Sequence, residues 1–128
     1  MNDLQIEPTS VTPRVDFRAD TGMMTISGDS YPENAFEFFE PLIAWIHGFI
    51  RDQTGPVRLD VTLSYLNTSS IKCLVDILEM LEEAYRNGRS VRVYWFYEPE
   101  NDRALDMAEE FKEDITFPFT VVPLGEEG

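Results

Sequence analysis

Alternating apolar and polar residues occupy several short segments of the chain, a pattern typical of strands that bury one face. The segment 57–66 is the clearest of them, and the apolar face that it predicts carries Val57, Leu59, Val61, Leu63 and Tyr65. Residues 14–30 alternate on both sides of an Asp-Thr-Gly turn at 20–22, and they predict a β-hairpin. The β-branched and aromatic segment 91–97 predicts a central strand, whereas 117–124, which contains two prolines, predicts an edge strand.

Three other segments repeat their apolar residues at the three- and four-residue spacing of an α-helix. The first has Ser30 or Asn34 as its cap, and Pro41 inside it predicts a kink or a start nearer Glu40. The second, 68–87, ends before a glycine, which suits a helix C-terminus. Its apolar residues cover a wider arc than usual, which indicates that the sheet and a neighbouring helix cover it, or that a partner does.

The order of the predicted elements indicates the fold class. An extended arm over residues 1–13 is followed by elements in the order β-β-α-β-α-β-α-β. Strands joined through helices need crossover connections, which favour parallel pairing. We therefore expect a single α/β domain over residues 1–128, with a mixed, mostly parallel sheet and an N-terminal β-hairpin.

Charge and composition restrict the class of partner and the compartment. The chain has 24 acidic and 10 basic residues and a net charge of -14, which argues against binding to nucleic acid or to an anionic membrane surface. The N-terminus lacks the pattern of a signal peptide, and no apolar run approaches the roughly 18 residues of a membrane helix. With a single cysteine there is no disulfide framework. We expect a cytoplasmic protein without direct membrane insertion.

The residue types that carry catalysis are scarce. The single histidine, His47, lies within a predicted helix without a local partner to orient it as a base. Cys73 has no nearby histidine and is expected to be a buried apolar residue. Neither a metal-ligand motif nor a glycine-rich phosphate loop is present. The sequence therefore predicts no catalytic residue, no metal site, no cofactor and no enzymatic activity.

A run of four small polar residues, 67–70, separates the strand ending at Leu66 from the second helix. Asn67 or Thr68 can cap that helix by accepting a hydrogen bond from one of its first amides. The same amides and the helix dipole would stabilise a phosphate on Thr68 or Ser69. Four such residues exceed what a cap requires, so this corner is the candidate site.

The corner resembles that of the anti-sigma-factor antagonist (STAS) domains, in which a strand, the tripeptide Asp-Ser-Ser and an amphipathic helix follow one another. Asn67 stands in place of the aspartate, Thr68 in place of the phosphorylated serine, and Ser70 where a glycine is usual. The resemblance implies a STAS-like regulatory domain whose phosphoacceptor is Thr68.

Longer motifs resemble the SiaC family of bacterial regulatory phosphoproteins; the most distinctive are SYPEN and YLNTSS. This resemblance implies a partner-switching circuit. A SiaB-like kinase would phosphorylate Thr68, and a membrane-anchored PP2C-type phosphatase (SiaA-like) would remove the phosphate. The unmodified protein would bind and activate a SiaD-like diguanylate cyclase, which raises cyclic-di-GMP and favours aggregation and biofilm formation.

Two alternatives to a phospho-switch remain at the level of sequence. One is a ligand-sensing STAS-like module that binds a nucleotide or another small molecule beside the corner. The other is an enzyme that uses Thr68 or Ser69 as nucleophile, which would need an activating base. The residues expected to contact partners in the switch are Leu66, Asn67, Ser69, Ser70 and Lys72.

Overall fold

A computed structural model describes residues 1–125 of the chain, which form six strands and three helices. The elements are β1 (Leu4–Ile6), β2 (Arg14–Phe17), β3 (Met23–Ser30), α1 (Ala35–Asp52), β4 (Val57–Leu66), α2 (Thr68–Arg86), β5 (Val91–Tyr97), α3 (Asp102–Lys112) and β6 (Phe119–Pro123). The strands lie in one sheet in chain order, β1 to β6. Pairing is antiparallel from β1 to β3 and parallel from β3 to β6, which confirms a mixed, mostly parallel sheet. The C-terminal strand is at an edge, as its prolines predicted.

The N-terminal arm contributes a strand that the predicted order omitted. Strand β1 pairs with β2, with Leu4 opposite Phe17 and Ile6 opposite Val15, and its two apolar side chains pack against the core. The order is therefore β-β-β-α-β-α-β-α-β. Three residues are too few to display a two-residue period, so this strand is defined by its pairing with β2 and not by its own pattern.

Helix α1 begins at Ala35. The start near Glu40 that Pro41 suggested is wrong. The side-chain oxygen of Asn34 accepts a hydrogen bond from the backbone amide of Glu37, so Asn34 is the N-cap. Pro41 lies inside the helix, where its missing N–H removes one hydrogen bond. Buried side chains on both sides of the proline, among them Phe39 and Leu42, hold the helix against the sheet.

All three helices cover the same face of the sheet. Connections between parallel strands that follow in order are right-handed, and this places successive helices on one side. The inward residues of β4, such as Leu59, share one core with Phe39 of α1, Leu74 of α2 and Ala108 of α3. The molecule is thus a two-layer α/β domain, and the ends of β3 and β4 meet the beginnings of α1 and α2 at one edge.

Glu82 is a buried carboxylate that joins α2 to the segment before β6. It accepts hydrogen bonds from the backbone amide of Thr116 at 2.9 Å, from the Thr116 hydroxyl and from Arg86 Nε at 2.9 Å. The Thr116 hydrogen bonds, with a smaller contribution from Arg86, lower the pKa of Glu82 below its ordinary value of 4.5. The ionised form is therefore favoured in the folded state.

Replacing Glu82 with glutamine is expected to lower the free energy of unfolding at neutral pH. A group whose pKa is lower in the folded protein stabilises it above the unfolded-state pKa, and that contribution disappears as the pH falls through the folded pKa. The difference between wild type and Glu82→Gln in urea unfolding should therefore be largest near neutral pH and shrink below about pH 4. The neighbouring exposed Glu83, changed to glutamine, is the control. A stability difference that stays constant over this pH range would contradict the assignment.

Candidate functional site

The corner between β4 and α2 is capped by Asn67. Its backbone is extended (φ -78°, ψ 168°), and its side-chain oxygen accepts a hydrogen bond from the amide of Ser70 at 2.9 Å. The amide of Ile71 donates to the Asn67 carbonyl, so the amides of Thr68 and Ser69 precede the first hydrogen bond within the helix. The cap is therefore Asn67, and Thr68 is the first residue of α2.

Asn67 also fastens the start of α2 to the segment after β3. Its backbone amide donates to the Ser30 carbonyl at 3.0 Å, and its side-chain Nδ2 donates to the Pro32 carbonyl at 3.0 Å. An aspartate at this position would keep the cap but would have no N–H for Pro32. This second hydrogen bond is a physical reason for asparagine where the STAS pattern has aspartate.

The hydroxyl of Ser70 points into the protein. Ser70 and Ser30 are both fully buried, and their Oγ atoms are 2.8 Å apart, so each hydroxyl has the other as partner. Leu66 is buried as well. Leu66 and Ser70 are both among the residues expected to contact partners. Both are buried, so they lie beneath the surface of the corner and support it.

Thr68 is the exposed hydroxyl of the corner, while Ser69 beside it is half-buried. Lys72 is exposed one turn further along α2, with its Nζ 3.9 Å from a carboxylate oxygen of Asp76. The three hydroxyl residues, which are neighbours in sequence, thus differ in exposure: Thr68 is exposed, Ser69 is half-buried and Ser70 is buried. Thr68 faces solvent at a helix N-terminus, where a negative charge is favoured.

A bulge at the end of β4 reverses the side-chain alternation just before the corner. Leu63 pairs with Gly28 and Leu66 pairs with Ser30, so β4 advances three residues where β3 advances two. Leu66 is consequently buried, and Tyr65 is 50% exposed. The prediction that Tyr65 shares the inward face of β4 is wrong for this reason. The adjacent apolar pair Tyr65-Leu66 was the available signal, because strict alternation does not place two such residues in succession.

The sparse catalytic candidates do not assemble at the corner. His47 is exposed on α1, and Cys73 is buried in the core, where burial raises the pKa of its thiol. Within residues 1–125, no three side chains that commonly bind metals come together. Over the same residues, none of the helices combines the length and apolar character that crossing a membrane requires. What the corner offers is an exposed hydroxyl beside free helix amides.

Known proteins resemble this chain over almost its whole length. The model of the SiaC family regulatory phosphoproteins matches residues 6–124. The structure of SiaC of Pseudomonas aeruginosa is similar with a TM-score of 0.91 at 45% identity, over 96% of this chain and 99% of that one. A chain in the crystal structure of diguanylate cyclase SiaD in complex with its activator SiaC, from the same organism, gives a TM-score of 0.92 at 45% identity, over 94% and 99%. An uncharacterized protein of Pseudomonas aeruginosa (strain UCBPP-PA14) is 46% identical over 121 residues, which are 94% of this chain and 96% of that protein. These matches confirm the resemblance and the fold.

Replacing Asn67 tests its two roles separately. Asn67→Ala removes the cap and the hydrogen bond to Pro32, and it should lower the free energy of unfolding by about 2 kcal/mol. Asn67→Asp retains the cap and loses only the Pro32 hydrogen bond, so about 1 kcal/mol is expected. Urea unfolding of both variants measures the difference, with Ser69→Ala as the control, for which less than about 0.5 kcal/mol is expected. An alanine variant as stable as wild type would show that Asn67 does not hold the corner.

Proposed function

Because the chain belongs to the SiaC family of regulatory phosphoproteins, we propose that it is a non-enzymatic phospho-switch that carries its phosphate on Thr68. The observation that supports this assignment is the difference in exposure at the corner. Thr68 is exposed at the first position of α2, whereas Ser70 is fully buried against Ser30. A kinase reaches the Thr68 hydroxyl without disturbing the fold, and it reaches the Ser70 hydroxyl only if the first turn of α2 opens.

The folded protein tolerates a phosphate at this position. The free amides of the first turn and the positive end of the helix dipole both favour negative charge there. Lys72, one turn away, is a further positive charge on the same helix. Phosphorylation therefore changes the surface of the corner and leaves the packing beneath it intact.

A relative in the family supports the choice of the cyclase as partner. SiaC of Pseudomonas aeruginosa is the activator of the diguanylate cyclase SiaD. We propose that the unmodified form of this chain likewise binds and activates a SiaD-like cyclase in the cytoplasm, which raises cyclic-di-GMP and promotes aggregation and biofilm formation. A SiaB-like kinase adds the phosphate, and a PP2C-type phosphatase of the SiaA kind removes it.

Desolvation gives the switch its mechanism. A phosphate adds about -1.5 to -2 charges and three strong hydrogen-bond acceptors. Burying that charge in a protein interface without a partner is costly, whereas leaving it in water is not. Asn67, Ser69 and Lys72 surround Thr68 in sequence and would lie in the same interface. One modification can thus prevent cyclase binding without unfolding the protein.

The phosphorylated residue is tested with a SiaB-type kinase and ATP, followed by mass spectrometry of the digested protein. Wild type is expected to carry a single phosphate on Thr68, and Thr68→Ala none. Ser69→Ala is the matched control and should be phosphorylated as wild type is, because Thr68 remains exposed. Phosphate found on Ser69 or Ser70 would contradict the assignment.

The consequence of the charge is tested by adding this chain to SiaD of Pseudomonas aeruginosa and measuring the rate of cyclic-di-GMP synthesis. Wild type and Thr68→Ala are expected to activate the cyclase. Thr68→Asp should require at least about tenfold more protein for the same activation, because the buried carboxylate weakens binding. Thr54→Asp places the same charge in the exposed loop before β4 and should behave as wild type. Equal activation by Thr68→Asp and wild type would show that charge at the corner is not the switch.

A further inference from the structure

Two tyrosine rings lie exposed against each other beside the corner. Tyr31 is 41% exposed and Tyr65 is 50% exposed, and their ring centroids are 5.6 Å apart at an angle of 71°. Tyr31 directly follows β3, and Tyr65 is the last residue but one of β4. Both therefore lie just before a helix, at the edge of the sheet that carries Thr68. A contiguous exposed apolar patch, unlike a single exposed side chain, marks an interaction site, and tyrosine is enriched at the centres of protein interfaces. The pair is thus a candidate contact surface that the predicted site residues did not include.

Backbone contacts fix the positions from which both rings project, and the two rings contact each other. The β4 bulge turns Tyr65 outward, and Leu66 beneath it is buried. The amide of Tyr31 donates to the Val11 carbonyl at 2.9 Å, and Asn67 binds the carbonyls on both sides of Tyr31. Rings that are fixed before binding lose little conformational entropy when a partner covers them. The arrangement is therefore preorganised for contact.

The charges near the pair indicate what the partner presents. Asp29, Glu33 and Glu37 are exposed and close in sequence to Tyr31, and the whole chain has a net charge of -14. The complementary surface is an apolar pocket for the rings with Arg or Lys side chains at its border. Guanidinium and ammonium groups pair with carboxylates, and both bind over the face of a tyrosine ring.

We propose that Tyr31 and Tyr65 form the centre of the surface that docks the diguanylate cyclase, through such a pocket. This inference rests on the proposed function and adds the contact surface to it. The basic side chains at the border are neutralised by the three carboxylates of this chain. A phosphate on Thr68, three residues after Tyr65, would enter the interface without a partner group on the cyclase, which connects the docking surface to the switch.

The docking surface is tested by measuring the affinity of unmodified protein for SiaD of Pseudomonas aeruginosa. Tyr65→Ser and Tyr31→Ser should each weaken binding by about 30-fold or more, the effect of losing a central interface residue. Tyr65→Phe keeps the ring and should bind within about threefold of wild type. Tyr94→Ser removes a partly exposed ring on β5, where Tyr94 pairs with Asp60 of β4 away from the corner, and should leave the affinity unchanged. Thermal unfolding of all variants checks that the fold is retained.

The basic border is tested by the double variant Glu33→Gln, Glu37→Gln and by raising the salt concentration, both of which should weaken binding. Affinity that does not respond to either change would overturn the charge assignment. Failure of wild type to bind SiaD would contradict the proposed function itself. Wild-type binding with undiminished binding by both serine variants would overturn only the docking surface. Dissociation of a homodimer by the serine variants, without loss of cyclase binding, would assign the tyrosine pair to self-association instead.

Discussion

The arrangement of the site depends on one residue, Asn67, which joins the start of α2 to the end of β3 and the residues just after it. Its oxygen caps α2 through the amide of Ser70, its Nδ2 binds the Pro32 carbonyl, and its backbone amide binds the Ser30 carbonyl. These hydrogen bonds set the start of α2 against the end of β3. They bring Thr68 to the surface at the same edge as Tyr31, and a substitution that broke them would release both.

The requirements of a helix cap and of a phosphate site coincide at this corner. A helix N-terminus has amides without internal acceptors, and both a capping oxygen and a phosphate satisfy them. The three hydroxyl residues that follow Asn67 point in different directions because they occupy successive positions on the helix. Ser70 turns inward and pairs with Ser30, while Thr68 turns outward and is accessible. Of these three hydroxyl residues, the proposed modification thus uses the one that is exposed.

The surface around Thr68 extends beyond the four small polar residues, 67–70, that the sequence indicated as the candidate site. The bulge in β4 exposes Tyr65 against Tyr31, so an aromatic surface, with acidic residues close to Tyr31 in sequence, lies next to the phosphoacceptor in the chain. A single phosphate can influence such a surface strongly, because apolar contacts exclude water and make uncompensated charge costly. This combination suits a member of a family of regulatory phosphoproteins.

Periodicity in the sequence determined the long elements and, together with the turn at 20–22, the hairpin. Two prolines indicated the edge position of β6, and a run of small polar residues indicated the corner at 67–70. Each of these patterns is local to one element or turn. The family, and with it the choice of Thr68, followed from motifs and not from periodicity. Tertiary structure decided the pairing of β1 with β2, chose the predicted cap Asn34 over a start of α1 near Glu40, and turned Tyr65 outward. It also decided that Ser70 is buried. The pairing of β1 and the burial of Ser70 depend on contacts between segments distant in sequence, here β1 with β2 and the end of β3 with α2, and no local pattern records such contacts.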